Sequence, residues 1–145
     1  MSEVVAKAQT TILAETSDAF DAIVQADKVT TFFPDRASGD LRIGSSIMWQ
    51  FDHAGAKVDL RVLELERPTR IVFEWNAAQA GFKRVEFGLS QSRGATRIEV
   101  VEKGYSLSAD DVAKAIQQTN GWAEFLAFLK ARLQFDIELR AGRQK

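Results

Sequence analysis

A chain of 145 residues is long enough for one domain to bury a core without covalent staples. The absence of cysteine excludes disulfides, thiolate nucleophiles and the usual structural zinc sets. With 19 basic against 20 acidic residues, both signs mixed along the chain, there is no basic footprint for nucleic acid and no polybasic membrane patch. No apolar run reaches bilayer length, and Met1-Ser2-Glu3 lacks the charged-then-apolar start of a signal peptide. The expectation is a cytoplasmic protein, one domain over residues 1–145, with no membrane insertion, repeats or linkers.

Taken in order, Val4 to Ala14 reads as an opening strand, rich in β-branched residues and free of breakers. Thr16 or Ser17 is placed to cap a short helix over Asp18 to Gln25, with Ala19, Phe20, Ile23 and Val24 as its apolar side. A second short helix or turn follows over Asp27 to Phe33 and is stopped by Pro34. Phe32 and Phe33 are a large apolar pair in an otherwise polar connection, and either anchor these helices or rim an opening.

From Ser38 the period changes to two. Ile47, Trp49, Phe51 and His53 form one phase of the first run, and Val58, Leu60 and Val62 one phase of the second, where a slip at Leu63 indicates a bulge. Ile71, Phe73 and Trp75, then Val85, Phe87 and Leu89, then Ile98 and Val100 continue the pattern. Turn residues separate the runs at Ala54-Gly55, Arg67-Pro68-Thr69, Gln79-Ala80-Gly81 and Ser92-Arg93-Gly94. Such short connections imply an antiparallel meander, solvated on one face and apolar on the other.

The last third reads as one long helix from Ala109 to Ala141, a span of ~50 Å at about 1.5 Å per residue. Val112, Ala115, Thr119, Trp122, Leu126, Leu129 and Leu133 recur at three- and four-residue steps on one side. Ser108 with Asp111 resembles a capping box. Asp110 and Asp111 at the start, and Arg140 and Arg143 near the end, suit the helix dipole. Gly121 costs roughly 1 kcal/mol in such a helix relative to alanine, and so marks a close approach, a bend or a tolerated weak spot. Phe128, Phe135 and Leu139 form a second stripe on a flank. It is either an exposed partner surface, most simply for a homodimer, or a contact with the opening strand or the short helices. Strand, short helices, a run of strands and a long helix make an α+β domain with the final helix gripped in the sheet's concavity.

This layout resembles the START-like, helix-grip (SRPBCC) superfamily, and within it the family related to the activator of the ninety-kilodalton heat-shock ATPase. The residues that carry the resemblance are the Ala19-Phe20-Asp21-Ala22-Ile23 helix, Gly44 before the Ile47–Phe51 strand, and the segment from Glu64 to Trp75 with its Arg-Pro-x-Arg-Ile-Val-Phe-x-Trp pattern. Gly94-Ala95-Thr96-Arg97-Ile98 and Gly121-Trp122 with Leu126 and Leu129 complete them. Phe32-Phe33 departs from relatives that carry a tryptophan there. The resemblance implies a curved sheet of about six or seven strands, two short helices and a long C-terminal helix. It also implies a cavity between sheet and helix, which would hold an apolar or aromatic small molecule, with no cofactor. The residues placed to line it are Trp49, Phe51, His53, Phe73, Trp75, Phe87, Tyr105, Trp122 and Leu126, unless the same rings simply fill the core.

No catalytic set emerges. His53 is the sole histidine and follows Trp49 and Phe51 onto the inner face, at the end of a strand. One histidine without cysteine cannot build an ordinary catalytic zinc site. Asp59, Glu64, Glu74, Glu86 and Glu99 mostly fall on the polar phase, and no nucleophile elbow or phosphate-cradling glycine run is present. Three function classes remain: a small-molecule binding protein, a co-chaperone-like module, and a cyclase- or hydratase-like enzyme using His53 or Tyr105.

Overall fold

The computed structural model describes residues 3–77 and 81–140. Gln79, Ala80, Ala141 and Arg143, which enter the expectations above, lie outside them. The element order is β1 (Val4–Ile12), α1 (Thr16–Val24), α2 (Ala26–Val29), β2 (Arg36–Ala37), β3 (Ser46–Phe51), a 3-10 turn (Asp52–Ala54), β4 (Ala56–Glu66), β5 (Arg70–Trp75), β6 (Lys83–Ser92), β7 (Ala95–Tyr105) and α3 (Ala109–Phe135). The seven strands form one antiparallel sheet in the order β1-β7-β6-β5-β4-β3-β2. Successive hairpins place β3 to β7 side by side, while β1 pairs with β7 along the far edge. This is the α+β helix-grip architecture expected from the order of elements.

Alternation decides the two faces. Ile47, Trp49, Phe51, Val58, Leu60, Val62, Phe73, Trp75, Val85, Phe87, Ile98 and Val100 are buried in one core with α1 and α3. The opposite face carries a lattice of charges. Glu86 is surrounded there by Arg70, Arg84 and Lys103, and Arg61 meets Glu74 at 3.3 Å. Partial burial pushes the Glu86 carboxyl up, but hydrogen bonds from Arg84 and Lys103 outweigh it and hold it below the usual range. The slip at Leu63 is a real bulge: the β4–β5 register jumps between Val62 and Glu64, and Leu63 turns outward.

Several local expectations are corrected. β1 ends at Ile12, and α1 starts at Thr16 after Glu15, with no side-chain cap. Thr16 and Ser17 are therefore helical residues rather than caps. Thr16 is buried and its hydroxyl lies 3.1 Å from that of Thr96, which in turn donates to Ala14 O. A tertiary partner has displaced the local one. Helix α2 is a single turn that ends at Val29. Its first N–H is met by Asp40 Oδ1 at 2.8 Å, from outside the helix. The two-residue β2 has too little sequence to show a period and is defined by its pairing with β3.

Helix α3 is about 40 Å long, not 50, because it stops at Phe135. Asp136 adopts a left-handed conformation (φ 54°). Its N–H and that of Ile137 turn back onto Arg132 O and Ala131 O, satisfying the last carbonyls. Arg140 is thus past the helix, where it donates to Pro34 O at 2.8 Å, and Arg132 is the basic residue of the final turn. The start behaves as a capping motif: Ser108 Oγ accepts from Asp111 N at 3.1 Å. The Asp111 carboxylate reaches back to Ser106 N at 2.7 Å rather than to Ser108 N. That bond lowers the Asp111 pKa.

The buried line of α3 differs from the predicted one: Val112, Thr119 and Leu133 are only half-buried, and Phe125, Phe128 and Ala131 are buried beside it. Phe125, absent from it, is fully buried at its centre. Of the flank stripe expected either to face a partner or to pack on the domain, Phe128 is buried, whereas Phe135 and Leu139 are exposed. Of the three-residue stripe only the last two face solvent, so the helix buries a wider arc than its main apolar line indicated.

Candidate functional site

The space between sheet and α3 is filled with rings. Phe33 packs edge-on against Trp49, Phe51 and Phe125, with centroids 5.9, 5.0 and 4.6 Å apart. Trp75 stacks on Trp122 at 4.8 Å, and Phe87 meets both Trp122 and Phe125 at 5.5 Å. Phe32, buried beside Phe125 at 5.5 Å, anchors the segment after α2. Phe33 both joins this core and borders the opening described next.

That opening is a cleft of about 360 Å³ where the β3–β4 hairpin faces the middle of α3. Its floor is formed by Phe33, Phe51, Val58, Trp75 and Trp122. One rim is the 3-10 turn with His53 and Ala54, and the other is the helical stretch Gln117, Gln118, Asn120, Gly121 and Glu124. A larger groove of about 440 Å³ lies between α1, α2 and the end of α3, where Phe32 and Leu133 stand among the charged side chains of Asp18, Asp27, Lys28, Arg132 and Asp136. The first opening combines a floor of several aromatic rings with convergent side-chain amides, the usual make-up of a small-molecule site.

Of the nine residues expected to line a cavity, the cleft brings together Phe51, His53, Trp75 and Trp122. Trp49, Phe73, Phe87 and Leu126 lie in the packed core behind it. His53 is not on a strand, because β3 ends at Phe51. It sits half-buried in the 3-10 turn with its ring edge-on to Phe51 at 6.2 Å. Tyr105 does not line the cleft. Burial first, and then the nearby Glu102 carboxylate, push its phenol well above the ordinary range, so it is protonated at neutral pH. The Lys83 ammonium lies 5.0 Å from the Tyr105 ring and donates to Gly104 O at 2.9 Å. Gly104 (φ 109°) permits this approach, since a Cβ there would stand 3.1 Å from Lys83 Cδ.

Gly121 resolves differently from any close-contact reading. A Cβ there would meet nothing within 4 Å, and the helix runs through it without interruption. It leaves open space on the cleft wall.

The residue the sequence reading missed is Glu102. It is completely buried. Its Oε2 accepts from Trp75 Nε1 at 2.8 Å, and its Oε1 from Trp122 Nε1 at 2.9 Å and Gln118 Nε2 at 3.1 Å. All three donors line the cleft, so the carboxylate stands directly behind its wall. Among the described residues no Lys or Arg nitrogen comes within 4.0 Å of it. The signal was in the period: Glu102 follows Ile98 and Val100 in strict alternation, on the inner phase. Hydrogen bonds to a charged acceptor contribute roughly 1.5–3 kcal/mol each, enough for this group to tie β5, β7 and α3 together.

The family model of the Activator of Hsp90 ATPase homolog 1-like proteins matches residues 14–134. The chain belongs to that family. Its fold matches that of protein SSP2350 from Staphylococcus saprophyticus with a TM-score of 0.82 at 21% identity, covering 95% of this chain and 97% of that one. The Aha1 dimer from Colwellia psychrerythraea matches with a TM-score of 0.79 at 20% identity, over 91% and 97% of the two chains. DynU16, from the dynemicin biosynthetic locus, matches with a TM-score of 0.81 at 21% identity over 93% of this chain but 49% of its own. At these identities the likeness is one of fold, and it agrees with the helix-grip architecture described above. None of the curated proteins matches the chain. No helix among the described residues is long and apolar enough to cross a membrane.

Proposed function

We propose that this protein binds an apolar or aromatic small molecule in the cleft between the β3–β4 hairpin and α3. The observation that carries the reading is the cleft itself: about 360 Å³ in volume, floored by four aromatic rings and rimmed by side-chain amides. The rings supply the apolar area that drives binding, and Gln117, Gln118 and Asn120 supply directional bonds. Gly121 keeps the wall low. Native mass spectrometry of the protein as purified, and titration with 2-naphthylmethanol followed by tryptophan emission, test it. Two of the three tryptophans, Trp75 and Trp122, border the cleft. The expected result is a saturable change in emission that Gly121→Leu removes. An unchanged spectrum at millimolar ligand refutes the reading.

The family description favours a second reading, a co-chaperone-like module acting on an Hsp90-type ATPase. An ATPase assay with the cognate chaperone decides it: stimulation by the protein supports this reading, and none refutes it. Exposed Phe135 and Leu139, together with the dimer described for the Colwellia relative, support self-association through the end of α3. Light scattering of the protein and of Phe135→Ser tests that, a dimer reduced to monomer by the substitution being the expected outcome.

A further inference from the structure

We propose that the ligand of this cleft is a flat aromatic amine, cationic at neutral pH, whose ammonium group reaches Glu102 by displacing the Gln118 amide. This rests on the cleft-binding reading above and adds the charge and the anchor.

Charge is the first argument. Glu124 stands on the rim and Glu102 behind the wall, while no lysine or arginine is among the lining residues. Lys57, between the lining residues Ala56 and Val58, is exposed and alternates to the opposite face of β4. A carboxylate or phosphate entering here meets two like charges and no lysine or arginine among the described lining residues, leaving it the rim amides and His53 as donors. A cation meets two opposite ones, one of them in a water-poor setting where the attraction is strongest.

The second argument is the state of Glu102. A buried carboxylate costs several kcal/mol unless it is paired or well bonded, and this one has three donors but no cation within 4.0 Å among the described residues. The three donors are not equivalent. Trp75 and Trp122 are 4% and 1% exposed and locked into each other by stacking at 4.8 Å. Gln118 is half-buried, on a long side chain that also faces the cleft. It is the replaceable donor, a stand-in from the protein for a group that a ligand can bring. An ammonium brings a full opposite charge to the carboxylate where the amide brings only a dipole, and in a water-poor setting that added attraction favours the exchange. The ring requirement follows from the floor, which Phe33, Phe51 and the two indoles make aromatic.

Three probes of one shape separate the possibilities: 2-naphthylmethylamine, 2-naphthylmethanol and 2-naphthoate, titrated by tryptophan emission and isothermal calorimetry. The amine is expected to bind about tenfold tighter than the alcohol, and the naphthoate not to bind measurably. In Glu102→Gln the amine-to-alcohol affinity ratio collapses to near parity; the ratio is the readout because the change also removes an acceptor from the cleft-lining donors and lowers both affinities. If that variant does not fold, Gln118→Ala decides. It keeps the carboxylate and removes its competitor, so amine affinity rises several-fold, whereas a structural role for Gln118 alone leaves the amine-to-alcohol ratio unmoved. Equal binding of amine and alcohol, or preferred binding of the naphthoate, overturns this inference and leaves the cleft reading standing. Failure of all three probes overturns both.

Discussion

Gly121 offers the sharpest test, because one substitution is expected to move stability and binding in opposite directions. The position is exposed in the middle of a 27-residue helix, its backbone is ordinary helix, and a Cβ has no neighbour within 4 Å. Gly121→Ala therefore gains the intrinsic helix preference of alanine, about 1 kcal/mol, with no steric charge against it. For a domain of this size that is a rise in Tm of roughly 3 °C, and in urea a higher midpoint at unchanged slope. The added methyl stands on the cleft wall, so affinity for 2-naphthylmethanol falls modestly, and Gly121→Leu, which fills the space, abolishes it. Differential scanning calorimetry and emission titration on the same samples give both quantities. A destabilised Gly121→Ala would refute the reasoning outright, since it would mean that the site is not open. Full binding by Gly121→Leu would show that the ligand lies elsewhere.

Three further outcomes follow from the packing. Phe125→Ala removes a fully buried ring that touches Phe32, Phe33, Phe87 and Trp122, and costs about 3–5 kcal/mol in chemical denaturation. Ser108→Ala removes the side chain that accepts from Asp111 N and costs about 1 kcal/mol, visible as a lower urea midpoint. The Arg67 guanidinium grips Asp21 with two bonds of 2.9 and 2.8 Å and holds its carboxyl below the usual range. Because the folded pKa is the lower one, the stabilisation is present at neutral pH and lost as pH falls through it. Wild type and Arg67→Ala should thus converge in stability in acid, and the Asp21 carboxyl of the variant should titrate higher by NMR.

The alternation of Trp49, Phe51, Phe73, Trp75 and Phe87, the bulge at Leu63 and the Ser108–Asp111 start were all legible in the chain. Each depends on neighbours two to four residues away, and period and capping are local chemistry. What the chain concealed is of another kind. Thr16 gave up a capping role for Thr96, 80 residues on; α3 ended early at a left-handed Asp136; Phe125, off the expected apolar line, lies in the core. Glu102 is the clearest instance. Its phase was readable, but a glutamate is assigned to water by default. Only folding brings the indole N–H groups of Trp75 and Trp122 and the amide of Gln118 to one point. Local pattern determined which residues turn inward, whereas the fate of a buried charge depends on partners 16 to 27 residues distant. Those partners meet only once the helix lies against the sheet.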